Sequence, residues 1–157
     1  MSIINTLPKE ATLFVLATPI GNLGDISPRA CQILAEVDLI ACEDTRKTGI
    51  LLKKLGIKAR RLMSYFEPHE ERKSQKIIDL MLEQSFSVGL ISDAGTPAIS
   101  DPGYRLVSKA RDCGLNISPV PGPSSPIALV SVSGLPSDRV LFLGFLPRKT
   151  KALVEEL

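Results

Sequence analysis

Short apolar runs and amphipathic stretches alternate along the chain, and the alternation predicts a repeated strand–helix–strand order from residue 12 onward. TLFVLAT (12–18) is apolar and β-branched and is closed by Pro19, the pattern of a buried strand. Ser27-Pro28 then supplies an N-cap followed by proline at the first helical position. Behind it Ala30, Ile33, Leu34 and Val37 recur at helical spacing as one apolar face. VDLIACE (37–43) predicts a second strand, and DTRKTGILLKKLG (44–56) a helix capped by Asp44 or Thr45 and stopped by Gly56. ARRLMSY (59–65) reads as a third strand. From about Glu70 to Gln84 a charged helix presents Ile77, Ile78, Met81 and Leu82 to a core. FSVGLIS (86–92), GYRLVSKARDCG (103–114) and NISPV (116–120) continue as strand, helix, strand. Beyond them PIALVSVSG is an apolar helical stretch, RVLFLGFLP (139–147) predicts a further strand, and KTKALVEEL a helix that has barely begun.

Alternation of this kind predicts an α/β fold, a parallel sheet covered by helices on both faces. The Pro/Gly/Ser stretch at 119–126 is the expected lobe boundary. It separates an N-terminal α/β lobe (1–120) from a linker and the beginning of a truncated second lobe (121–157).

Composition narrows the picture only a little. With 157 residues, 44% hydrophobic and 23% charged, the chain can build one full core. A net charge of +2 neither announces a nucleic-acid partner nor bars one. Cys31, Cys42 and Cys113 have no C-x-x-C spacing, and the expectation is reduced thiols acting as small core residues. The first residues lack a basic region, and the Leu13–Ala17 run is too short for a signal peptide or membrane span, so a cytoplasmic protein is expected.

In a parallel sheet, ligands gather at the carboxyl ends of the strands. Four loops should leave that edge: TPIGNLGD (18–25), CEDTR (42–46), SDAGTPAISDPG (92–103) and PVPGPSS (119–125). Three are rich in Gly and Pro and poor in bulk, which lets backbone approach a ligand closely. Neither G-x-G-x-x-G nor the phosphate loop G-x-x-x-x-G-K-[ST] is present, so the usual dinucleotide and nucleoside-triphosphate cradles are excluded. A single histidine, His69, leaves no multi-His metal site, and as the start of a charged helix it reads as solvated. Glu43-Asp44-Thr45-Arg46 crowds polar groups at one strand end, with Arg46 able to grip a phosphate bidentately. Asp93 and Asp101 lie in the long loop; Asp44 and Asp101 are also expected helix caps, and Asp25 a turn stabiliser. Lys53, Lys54, Lys58, Arg60 and Arg61 form a basic cluster that a solvated helix end explains in part. At 4% aromatic residues, no stacking platform for bases is expected.

LATPIGNLGDISPRA, ACEDTRKTGILL, LISDAGTPAISDPGYRLV and PVPGPSSPIALVSVSGLP, in this order over roughly residues 12–150, resemble the ribosomal RNA small-subunit methyltransferase I family of the tetrapyrrole methylase superfamily. The resemblance implies a two-lobe, S-adenosylmethionine-dependent enzyme, a homodimer, that methylates a ribose 2′-oxygen of a cytidine in small-subunit ribosomal RNA. Its cofactor positions fall on Leu23, Thr96, Ile99, Ser124 and Ser125. Gly95 and Pro97 complete the wall that the long loop offers the cofactor. A substrate-side role is implied for Glu43, Asp44 and Arg46, with Thr45 between them. Transfer to a hydroxyl needs a proton acceptor, for which Asp93, Glu43 and Asp44 are the candidates. A small-molecule methyltransferase of tetrapyrrole type and a non-catalytic binding module are the alternatives on the same fold. If the cofactor is clamped between two lobes, the chain by itself should bind it weakly.

Overall fold

The computed structural model describes residues 10–66 and 68–156. Five strands, β1 (Thr12–Leu16), β2 (Leu39–Cys42), β3 (Leu62–Ser64), β4 (Val88–Ile91) and β5 (Asn116–Val120), form one sheet in the order β3-β2-β4-β1-β5. Every pairing is parallel. The connecting helices are α1 (Pro28–Glu36), α2 (Thr45–Lys54), α3 (Glu70–Gln84) and α4 (Tyr104–Asp112). Thus the α/β architecture expected from the alternation is observed.

Each helix starts and stops for a local reason. The Ser27 hydroxyl accepts from Ala30 N at 3.1 Å with Pro28 in the first turn, and the Asp44 carboxylate accepts from Arg46 N at 2.8 Å. α2 ends with Lys53 and Lys54 in its last turn, followed by Gly56 at φ +68°. Two cores result. Ala30, Ile33, Leu34 and Leu52 of α1 and α2 pack with Phe14, Leu16, Ile40 and Ile91 on one face. Ile77, Ile78, Met81, Leu106 and Ala110 of α3 and α4 pack with Leu13, Leu39, Tyr65 and Leu90 on the other.

Four expectations are corrected. Leu82 is exposed: the buried stripe of α3 runs through Ser74, Ile77, Ile78 and Met81, and Leu82 lies a further 100° round the helix from Met81. Only Cys42 of the three cysteines is buried, while Cys113 is exposed after α4. The turn at Leu23–Asp25 is capped by Asn22, whose Oδ1 accepts from Gly24 N at 2.9 Å, rather than by Asp25. Asp101 does not cap α4. Gly103, at the N-cap of that helix, has no side-chain cap from its own strand-side loop, and the carboxylate of buried Glu70 in α3 accepts from Gly103 N at 2.9 Å instead.

Glu70 therefore carries a negative charge to the positive end of α4 and satisfies a buried N–H. Its other oxygen lies 3.6 Å from Arg105 Nε. Glu70→Ala is expected to lower stability by about 1–3 kcal/mol, seen as a lower urea midpoint at unchanged slope. Glu70→Gln, which keeps an acceptor oxygen, should lose distinctly less; equal losses would refute the capping role.

Residues 1–124 and 125–157 form two compact units. The second contains α5 (Ser125–Val132) and α6 (Thr150–Glu156), so the two helical expectations there are met. RVLFLGFLP forms no strand: the unit holds no strand among the described residues, and an extended segment without a ladder partner leaves its backbone groups unpaired.

Candidate functional site

The strand order creates the site. β1 and β4 are neighbours, yet α1 carries the chain from β1 across one face to β2, while α4 carries it from β4 across the other face to β5. Their loops diverge at the carboxyl edge, which opens a crevice at this switch point. Thr18 N donates to Gly95 O at 2.9 Å and Gly95 N to Thr18 O at 3.0 Å, clasping the two loops at the base of the crevice. Thr18 Oγ1 also donates to Ser92 O at 3.1 Å.

The loop at 92–103 has an unusual backbone. Gly95 (φ +86°), Ala98 (+66°) and Ser100 (+56°) all adopt left-handed conformations, two of them without glycine's freedom. Strain of this kind persists only where surroundings impose it. Pro97 and Gly103 are buried, and Thr96 Oγ1 donates to Pro123 O at 3.1 Å, tying the loop to the one after β5. A Cβ at Gly95 would stand 3.4 Å from Ile20 Cγ2, so the loops after β1 and β4 approach closely there. Ile20 and Ile99 are exposed, and Leu23 and Ser124 are half-buried. The structure therefore brings Gly95, Thr96 and Pro97 together with Pro123, and places Leu23 in the loop leaving β1 at the same edge. Ser125 opens the second unit.

A second group of side chains stands at the ends of β2 and β4. Glu43 Oε1 accepts from Asp93 N at 3.2 Å, and Asp93 Oδ2 pairs with Lys47 Nζ at 2.6 Å. Asp93 Oδ1 is buried with no hydrogen-bond partner among the described residues. Burial pushes the Glu43 carboxyl above its ordinary 4.5, reinforced by Asp101 and Asp93 nearby. Asp101 is likewise raised by burial, with Ser92 opposing. Asp44 behaves oppositely. Hydrogen bonds from the Arg46 side chain and backbone hold it down at about 2, its Oδ1 and Oδ2 meeting Arg46 Nε and Nη2 at 3.2 and 2.9 Å.

Glu43, Asp44, Thr45, Arg46, Ser64 and Phe66 line a pocket of about 390 Å³. Pro19, Lys47, Thr48, Leu51, Ser92 and Asp93 line a smaller one of about 70 Å³. Sequence reasoning missed Lys47, Glu70 and Phe66. A lysine one residue beyond Arg46 gives no sign that it will reach across to β4, because that contact depends on the sheet order. No group of three His, Cys, Asp or Glu side chains among the described residues is arranged to hold a metal ion. No helix among them is long and apolar enough to cross a membrane.

Comparison with known proteins bears on this edge. Residues 12–156 match the family described as Tetrapyrrole (Corrin/Porphyrin) Methylases. A "Ribosomal RNA small subunit methyltransferase I" of Mesorhizobium japonicum is 53% identical over 142 residues, 90% of this chain and 48% of that protein. The protein of the same name from Vibrio cholerae is 48% identical over 153 residues, 97% of this chain and 52% of that protein. The chain thus spans about half the length of these relatives. Among solved structures, a uroporphyrin III C-methyltransferase from Thermus thermophilus aligns with a TM-score of 0.59 at 20% identity, covering 80% of this chain and 53% of that one. A cobalt precorrin-4 methyltransferase aligns with a TM-score of 0.61 at 19% identity, covering 78% and 50%. At such identities these two likenesses speak to fold alone.

Proposed function

Because the chain belongs to the tetrapyrrole (corrin/porphyrin) methylase family, we propose that it supplies the cofactor-side lobe of an S-adenosylmethionine-dependent methyltransferase acting on small-subunit ribosomal RNA. The acceptor in this reading is a ribose 2′-hydroxyl of a cytidine, and the enzyme works in the cytoplasm as a homodimer. The observation that carries the RNA substrate is that about half of the positions are shared with relatives named as ribosomal RNA small subunit methyltransferases.

The edge loops fit the cofactor. A nucleoside and an amino-acid tail need close backbone approach and an apolar rim. Gly95, Thr96 and Pro97 offer the first, and Leu23 and Ile99 the second, with Ser124 and Ser125 following at the lobe boundary. When bound, the cofactor supplies an activated methyl group. The chain's own residues must orient the hydroxyl and take its proton. Glu43 is the acceptor in this proposal: Oε1 is anchored on Asp93 N, while the carboxyl lines the larger pocket and its basicity is raised by burial. Asp44 is a poor base, since Arg46 occupies both its oxygens. Asp93 orients Lys47 and Glu43 from behind.

The test is methyl transfer to assembled small subunits by an enzyme built to the relatives' full length around this chain, with mass mapping of the product. One ribose methylation on a cytidine is expected. Methylation of a tetrapyrrole with none on RNA would establish the alternative, and absence of both would leave a binding module. Calorimetry of the 157-residue chain with S-adenosylmethionine should show weak binding; tight binding would refute a cofactor clamped between two lobes.

A further inference from the structure

The pocket at the ends of β2 and β3 contains an aromatic wall that core packing does not explain. Tyr65 is fully buried and its hydroxyl hydrogen-bonds the Ser74 hydroxyl at 2.9 Å, which fixes where the chain leaves β3. Phe66 follows immediately and is 40% exposed, lining the pocket with Ser64 and the Glu43–Arg46 segment. Lys73 Nζ stands 4.7 Å from the ring centroid, and His69 meets the ring edge-on at 5.8 Å. Neither of these lines the pocket. They hold the ring from outside it, and the aromatic surface stays available within.

The remaining lining is polar in a particular way. Arg46 uses Nε and one N–H of Nη2 on Asp44, and its side chain is 89% exposed, so three of its five N–H groups face outward. Ser64 Oγ donates to Glu43 O at 3.4 Å, which holds the floor in place. Glu43 and Asp44 present carboxyl oxygens, acceptors suited to an exocyclic amino group. A π-face, amino acceptors and a guanidinium at the rim are the three things that recognise an unstacked base and its phosphate.

We propose that this pocket is a nucleotide subsite, in which Phe66 stacks on a base of single-stranded RNA while Arg46 meets a neighbouring phosphate. The inference rests on the RNA reading given above and adds to it the positioning residue and the unpaired form of the substrate. Such stacking runs against the sequence expectation that the chain has no platform for bases, and the experiment below decides between them. One ring suffices when the fold places it beside the proton acceptor.

The chain has no tryptophan, so Phe66→Trp introduces a single fluorescent reporter at the subsite. The probe is a fluorescein-labelled oligo(C) RNA nonamer for anisotropy, and the same unlabelled RNA for tryptophan emission, both with the 157-residue chain. Wild type and Phe66→Trp should bind within about threefold of each other, and tryptophan emission should fall with the same midpoint as the anisotropy. Phe66→Ala should bind about tenfold more weakly or worse. Wild-type binding with Phe66→Ala within twofold, or with tryptophan emission unmoved, would overturn the subsite and leave the RNA reading standing. No binding by wild type would overturn the subsite, while the RNA reading is decided separately by the transfer assay on assembled small subunits. Should Phe66→Ala fail to fold, the tryptophan signal decides alone.

Discussion

Replacing Glu43 with Gln is expected to lower methyl transfer at least about a hundredfold, the lower end of what a positioned general base contributes. Cofactor affinity should stay within about twofold, because Glu43 stands at the end of β2 and the loops proposed to hold the cofactor follow β1, β4 and β5. Gln keeps an oxygen for Asp93 N, so the loss would not come from a released loop. The stability sign supports this separation. Burial raises the Glu43 carboxyl above 4.5, so the folded state holds its proton more readily than the unfolded chain. The stabilising contribution is then present below about 4.5 and is lost as pH rises through the folded value. At a pH above the folded value the ionised Glu43 is a cost that Gln removes, and there the variant should unfold at the same or a slightly higher temperature. In the wild type the acid limb of the rate profile should lie above 4.5, and Glu43→Gln should lack it. A variant within tenfold of wild type, or one retaining the limb, would exclude Glu43 as base. Asp93→Asn measured alongside should change the rate less, since Asp93 acts through Lys47 and Glu43.

Gly103→Ala carries the largest expected structural effect. Gly103 has φ +143°, and a Cβ there would stand 3.0 Å from Leu90 Cδ2, 3.2 Å from Ala98 N and 3.3 Å from Ala98 Cβ. Backbone strain of about 1–3 kcal/mol combines with overpacking of about 1–3 kcal/mol. On a chain of this size the sum lowers the melting temperature by roughly 5–15 °C. Gly114→Ala is the control: its φ is +68° with nothing within 4 Å of the added carbon, so it meets strain without collision. Equal effects of the two substitutions would show that the contact with Leu90 and Ala98 is unimportant. Since the same Ala98 belongs to the left-handed stretch of the loop, Gly103→Ala should also weaken cofactor binding in the assembled enzyme.

Much of the fold was legible because local rules decide it. Ser27-Pro28, Asp44 and Gly56 mark helix ends by hydrogen bonding and φ alone, and all act as the sequence predicts. The faces of α1 and α3 followed from periodicity, except Leu82, which lies at the stripe's edge, where spacing alone cannot decide burial. Asp101 misled because an Asp just before a helix is a good cap in isolation. Here the carboxylate of Glu70, 33 positions before Gly103, occupies that role. RVLFLGFLP misled for a related reason: apolar composition specifies burial, while a strand also needs a partner.

By itself, the sequence determined the order of elements from β1 to β5, the parallel class and the four loops at the strand ends. Hydrophobic period and turn chemistry are properties of neighbouring residues, and they survive without any tertiary contact. Only the tertiary structure decided the strand order β3-β2-β4-β1-β5, and with it which loops meet. That order sets Asp93 beside Glu43 and Lys47, aims Glu70 at Gly103, and leaves Phe66 at the pocket wall. Contacts between residues tens of positions apart depend on how the sheet is threaded, and no local pattern encodes the threading.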